Sequence, residues 1–257
     1  MKSYASLLYT PALRLASVSE PGRVRADMLV LDLEDSTHPA RKAEARAMLA
    51  AADLRRAELP ALGLRVNTIV TPDGLEDLRT LLELDAVIGG VPIDVVFIPK
   101  ISGPGDVAVY RALLARTSRP PQICSFIETV DSVENAFAIA AVSDGLCFGQ
   151  ADLTADMYAG NPVYLDYARA RLCVAAASRA ARDAGFTGKA AIHPRQVEPI
   201  AEAFTVGPEE LAEYRRMVAD YDARISFTVE QDRVLAPPFV LRARRMLQFH
   251  ATDADTL

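Results

Sequence analysis

The run Met28-Leu29-Val30-Leu31-Asp32-Leu33 is apolar at both odd and even positions, apart from Asp32 near its end. A strand with two apolar faces has no solvent side and belongs in a parallel sheet covered by helices. Val95-Val96-Phe97-Ile98 repeats the pattern. Moving outward, short apolar runs recur at Ser6–Tyr9, Leu62–Val66, Asp94–Ile98, Ile123–Ile127, Gly145–Phe148 and Ala190–Ile192. Helical patterns lie between them. Ala40–Leu59 is rich in Ala, Arg, Glu and Leu. Asp73–Leu84 opens on Asp73 as an N-cap, Pro104–Arg116 opens on a proline suited to a first turn, and Ser132–Ala141 and Tyr164–Ala184 are Ala-rich. Strand–helix alternation requires parallel pairing through right-handed crossovers. About seven such units predict an α/β fold, a TIM-type (β/α) barrel. No GxGxxG follows the first strand, which disfavours an open dinucleotide-binding sheet. Residues 1–207 are expected to form the catalytic barrel domain. Residues 208–257, with helices at Pro208–Arg224 and Pro238–His250, are expected to form a C-terminal helical extension against the barrel or a neighbouring subunit.

Composition narrows the function classes. The chain has 257 residues, 28 basic and 34 acidic side chains, a net charge of −6, and 51% hydrophobic residues. That excludes a disordered chain, and its mild acidity disfavours a dedicated nucleic-acid binder. The cysteines Cys124, Cys147 and Cys173 show no zinc-ligand spacing and read as reduced thiols of a cytoplasmic protein. No apolar run reaches the roughly 20 residues needed to span a bilayer, and the first residues lack a signal-peptide core.

Function in a parallel barrel collects where the strands end. The candidate strands lead into Asp32-Leu33-Glu34-Asp35, Arg65-Val66-Asn67, Pro99-Lys100, Glu128-Thr129, Gly149-Gln150-Ala151-Asp152 and His193-Pro194. Glu128 and Asp152 are suited to a hard divalent cation, Mg2+ or Mn2+, which takes one or two protein carboxylates and leaves room for water and substrate. Arg65 carries a fixed fork of donors matched to a substrate carboxylate. Together they would grip a 2-oxo or 2-hydroxy acid and stabilise an enolate as a carbon–carbon bond breaks or forms. Glu34 and Asp35 either support the metal through water or cap the segment starting near Pro39.

These stretches resemble the HpcH/HpaI aldolase and citrate lyase family, specifically its citrate lyase beta-subunit-like branch. The resemblance rests on SLLYTPA (Ser6–Ala12), ADMLVLDLEDS (Ala26–Ser36), LRVN (Leu64–Asn67), VVFIPK (Val95–Lys100), FIETVDSVENAFAIA (Phe126–Ala140), SDGLCFGQADL (Ser143–Leu153), GFTGKAAIHPRQV (Gly185–Val197) and FTVGPEEL (Phe204–Leu211). It implies a magnesium-dependent barrel, trimeric or hexameric, that cleaves or forms carbon–carbon bonds in CoA thioesters or related oxo acids. It also implies Glu128 and Asp152 as metal ligands, with Arg65, Asp35 and Glu34 in the catalytic apparatus. Arg65, Lys100, Gly149, Gln150 and Ala151 are implied to face the substrate. Lys189 and His193 lie near the mouth of the site, and the alternative for His193 is a structural ring at a strand end.

Three departures accompany the resemblance. Tyr164–Ala184 runs directly into Gly185-Phe186, where the family carries another strand, so one β/α unit is expected to be missing. Ala236 stands where the lyases place a proton-transferring aspartate. Ala5 and Ser19–Gly22 stand where an arginine and a lysine often assist CoA binding, and Arg14, Arg23 and Arg25 are the substitutes at hand. The expected activity is therefore a metal-dependent carbon–carbon lyase or aldolase, weighted toward a small oxo acid. The alternatives are a thioester hydrolase on a malyl- or citramalyl-CoA-like substrate and a non-catalytic, partner-dependent subunit.

Overall fold

The computed structural model describes residues 4–15, 25–52, 54, 60–88, 93–157, 161–172, 188–222, 229–230, 233–234 and 237–249. Seven strands, β1 (Ser6–Pro11), β2 (Met28–Asp32), β3 (Ala61–Arg65), β4 (Val95–Ile98), β5 (Gln122–Ile127), β6 (Gly145–Phe148) and β7 (Lys189–Ala191), form one wholly parallel sheet in the order β6-β5-β4-β3-β2-β1-β7. Each expected strand is present; Gly145–Phe148 keeps its bounds, and the others shift at one or both ends by a residue or two.

The sheet is strongly curled. Tyr9 on β1 and Phe97 on β4 are three strand spacings apart, about 14 Å if the sheet were flat. Their ring centroids lie 5.8 Å apart, and Tyr9 reaches Phe126 on β5 at 6.4 Å. The inner face is packed with Met28, Val30, Val95, Phe97, Cys124 and Phe126. The alternate residues Leu29, Leu31, Leu62, Leu64, Val96, Ile98, Ile123 and Ile127 form the larger core with the helices. Period-two alternation thus feeds two separate cores, which is why these strands read as apolar throughout. Among the described residues β6 and β7 are the two edges of the sheet, so the expected closed barrel is seen as a curled seven-stranded sheet. Residues 173–187, between which the missing unit was inferred, lie outside the described residues, as do Cys173, Ser19–Gly22, Arg23 and Ala236.

The strand starts are held by aspartates that immediately precede every second strand. Asp27 Oδ2 accepts from the Ala5 and Ser6 N–H groups at 3.0 and 2.9 Å. Asp94 accepts from the Leu62 N–H at 2.9 Å, and Asp144 accepts from the Ile123 N–H at 2.8 Å. Each carboxylate satisfies an N–H at or beside the start of the neighbouring strand and so helps set its register.

The helices are α1 (Lys42–Ala51), α2 (Pro72–Ile88), α3 (Pro104–Leu114), α4 (Val130–Glu134), α5 (Ala136–Val142), α6 (Gln150–Asp156), α7 (Pro162–Leu172) and α8 (Val197–Phe204). Several expectations are corrected. The first helix begins only after a 3-10 turn at Pro39–Arg41 and is capped off by an extended Ala52, so it is shorter than Ala40–Leu59. Asp73 is not the N-cap of α2: Thr71 Oγ1 accepts the Gly74 N–H at 3.1 Å, and Asp73 lies in the first turn. The segment Ser132–Ala141 is two helices broken at Asn135. Helix α8 buries Val197, Ile200 and Phe204, one stripe at helical spacing, in a small core with Leu8 and Ala191.

The chain divides into two compact units, Met1–Phe204 and Thr205–Leu257. The second contains α9 (Pro208–Asp222), the short antiparallel pair β8 (Val229–Glu230) and β9 (Arg233–Val234), and α10 (Pro237–Phe249). Within it an Arg244–Asp222 ion pair links the two helices, and Val240 and Ala243 are buried. No helix among the described residues is long and apolar enough to cross a membrane.

Candidate active site

Strand alternation places the site. The inward positions Met28 and Val30 lead to Asp32, Gly63 leads to Arg65, and Cys124 and Phe126 lead to Glu128. All three polar residues therefore cap the inner core at the C-terminal ends of their strands. Asp32 and Arg65 sit opposite each other in the β2–β3 register. Their pairing is bidentate: Arg65 Nε donates to Asp32 Oδ1 at 2.7 Å and Nη2 to Oδ2 at 2.6 Å. Arg65 Nη1 lies 3.0 Å from Glu34 Oε2. The guanidinium rests over the Tyr9 and Phe126 rings, 5.3 and 5.7 Å from their centroids. Burial works against charge at both Asp32 and Arg65. The short hydrogen bonds between them outweigh it, holding Asp32 below the usual carboxylate range and Arg65 firmly protonated.

The acidic cluster is completed from other elements. Lys100 follows β4, and its N–H donates to Glu128 Oε1 at 2.8 Å. Its ammonium lies 2.5 Å from Glu34 Oε1, 3.4 Å from Asp35 and 3.6 Å from Asp152 in the first turn of α6. Burial raises Glu34 despite Arg65 and Lys100. Burial is also the main cause at Glu128; the Lys100 N–H opposes it, Asp152 and Glu34 reinforce it, and the carboxyl is pushed up to about 8. Glu128 Oε2 is buried and has no hydrogen-bond partner among the described residues. A buried carboxylate oxygen left open beside a second carboxylate fits a hard cation. Among the described residues no set of three or more His, Cys, Asp or Glu side chains forms a ligand group, so a cation here would rest on Glu128 and Asp152.

The turn into this site is built locally. Thr129 Oγ1 caps α4 by accepting the Ser132 N–H at 3.0 Å, and Ser132 Oγ accepts from the Glu128 and Thr129 N–H groups at 3.1 and 3.0 Å. Asn67 is structural: its N–H and amide donate to Asp77 Oδ2 at 2.7 Å, and the amide also donates to the Leu33 carbonyl at 2.9 Å. Gly149 is required by close approach, since a Cβ there would lie 2.3 Å from Glu128 Oε2 and 2.6 Å from Glu128 Cβ. Gly149→Ala is expected to dislodge Glu128 and weaken divalent-cation binding at least about tenfold, read by Mn2+ titration against wild type.

The candidates thus separate. Arg65, Glu34, Asp35, Lys100, Glu128 and Asp152 share one ion network, with Gly149 against Glu128. Gln150 and Ala151 are exposed in the first turn of α6. The capping alternative for Glu34 and Asp35 is replaced, because His38 Nδ1 accepts the Ala40 N–H at 3.2 Å. His193 does the same for the Arg195 N–H at 3.2 Å, which is its structural role. Asp32 was missed as a site residue, although its inward register with Met28 and Val30 marks it.

A family model described as HpcH/HpaI aldolase/citrate lyase matches residues 5–196. The chain belongs to this family. It is 28% identical over 252 residues to a (3S)-malyl-CoA thioesterase of Cereibacter sphaeroides (strain ATCC 17029 / ATH 2.4.9), covering 85% of this chain and 83% of that one. It is 24% identical to the citrate lyase subunit beta of Leuconostoc mesenteroides subsp. cremoris over 298 residues, covering 97% of this chain and 95% of the relative. Among solved structures, the protein CitE from Mycobacterium tuberculosis, in complex with magnesium, acetoacetate and coenzyme A, superposes with a TM-score of 0.73 at 23% identity, covering 96% of this chain and 98% of that chain. That likeness establishes a shared fold for this member of the HpcH/HpaI aldolase/citrate lyase family.

Proposed function

We propose that this protein is a divalent-cation-dependent carbon–carbon lyase or aldolase of the citrate lyase beta-subunit-like branch, acting on a small 2-oxo or 2-hydroxy acid or its CoA thioester. The observation that carries this reading is the open, buried Glu128 Oε2 at the strand ends, beside Asp152 and the pinned Arg65. Glu128 and Asp152 would hold Mg2+ or Mn2+, which when bound supplies Lewis acidity at substrate oxygen atoms. Arg65 commits two of its five N–H groups to Asp32 and holds Nη1 3.0 Å from Glu34, so its remaining donors are aimed before substrate arrives. They would receive the substrate carboxylate. Lys100 and the Gly149-Gln150-Ala151 turn would line the substrate side, and Asp35, half-exposed beside Lys100, would position water.

A second reading, thioester hydrolysis, is favoured by the likeness to the malyl-CoA thioesterase. One assay separates them. The protein with Mg2+ is given malyl-, citramalyl- and citryl-CoA, then 4-hydroxy-2-oxo acids. Carbon–carbon cleavage products support the lyase, and free CoA alone supports the hydrolase. Glu128→Ala is expected to lower turnover at least about 100-fold. Wild type that turns over none of these substrates, or no faster than Glu128→Ala, overturns the proposal.

A further inference from the structure

The network around Lys100 contains more negative than positive groups. Five carboxyl groups, Asp32, Glu34, Asp35, Glu128 and Asp152, face two cations, Arg65 and Lys100. Arg65 is fixed by its bidentate partner and is only 12% exposed at its side chain. Lys100 is different. Its side chain is 38% exposed and tethered by a flexible stem, and its ammonium bridges Glu34, Asp35 and Asp152, residues from two separate strand ends.

The backbone is shaped to allow this. Lys100 is the one non-glycine residue with positive φ among the described residues, at 51°. A left-handed conformation is disfavoured for a residue with a Cβ. Here it lets one residue direct its N–H to Glu128 Oε1 and its ammonium to the opposite side of the cluster. One face of Glu128 is thereby occupied, while Oε2 stays buried and open.

We infer that Lys100 is an internal counter-cation: its ammonium holds Glu34, Asp35 and Asp152 together in the metal-free protein and withdraws from Asp152 when a divalent cation binds. The inference rests on the metal-dependent reading above. It explains how an acidic cluster remains folded without metal. It also makes cation affinity a competition between a tethered monovalent charge and a free divalent one. A side chain that merely decorated the rim would not couple the two.

The test uses the full chain, stripped with chelator and titrated with Mn2+ by calorimetry, with thermal unfolding followed before and after saturation. Lys100→Met keeps the length of the stem and removes the charge. It is expected to bind Mn2+ about tenfold more tightly than wild type. Its metal-free melting temperature should fall, and its gain on Mn2+ saturation should exceed that of wild type. Lys100→Arg is expected to return affinity toward wild type. Glu128→Ala is expected to abolish binding in either background, which assigns the titrated ion to this site. Binding by Lys100→Met but not by wild type would also support the inference. Equal or weaker binding by Lys100→Met overturns it and leaves the metal site standing. Absence of Mn2+ binding in both proteins overturns the metal-dependent reading together with it.

Discussion

Asp32→Ala is expected to destabilise the protein by about 3–5 kcal/mol, because it strands Arg65 over an aromatic floor with its bidentate partner gone. For a domain of this size that corresponds to a fall in melting temperature of about 10 °C. Asp32→Asn should cost less, since an amide retains one acceptor for the guanidinium. The decisive measurement is a double-mutant cycle with Arg65→Met, followed by urea unfolding. Removing both partners deletes both charges of the bidentate pair, so the double variant should be more stable than the sum of the single losses predicts. Additive losses would show that the pair is not coupled, and that Asp32 supports the strand end in some other way.

The second large effect concerns Glu128. Its carboxyl is held at about 8 in the folded protein, against an ordinary value of 4.5. Between those values the folded protein keeps a proton that the unfolded chain has released. The stability contributed by this group is therefore full below about 4.5, declines as pH rises, and is gone above about 8, with a slope approaching 1.4 kcal/mol per pH unit. Glu128→Gln removes the titration while keeping the shape. In chelator, the variant is expected to be more stable than wild type at pH 8 and nearly equal to it at pH 5. Glu34 is raised in the same sense by burial, so the difference between the two proteins, rather than the wild-type curve, isolates Glu128. Urea midpoints measured across that range give the answer, and parallel curves would contradict it. Together with the expected loss of turnover in Glu128→Ala, the result would mark Glu128 as a residue kept for function at a cost to the metal-free fold.

Much of this architecture was legible in the chain. The runs Met28–Leu33 and Val95–Ile98 announce a buried parallel sheet because each feeds two cores, one inside the curl and one beneath the helices. The polar strand ends are equally legible, since a charge directly after an apolar strand has to emerge at the rim. Residues whose partners lie within a few positions were harder to read. Thr71 rather than Asp73 caps α2, and His38 rather than Glu34 or Asp35 caps the turn at Pro39, because each choice depends on the local backbone angle at the cap.

What the amino-acid sequence determined by itself is the strand–helix order, the two-residue alternation, and hence the gathering of Asp32, Arg65 and Glu128 at one end of one face. Only the tertiary structure decided how those groups are used. Curling brings Tyr9 within 5.8 Å of Phe97, three strands away, and so creates the floor that desolvates Arg65. The fold joins Lys100 to Glu34, 66 positions earlier in the chain, and raises Glu128 by burial. Pairing partners and proton affinities depend on distance and on exclusion of water, and both are properties of the folded chain.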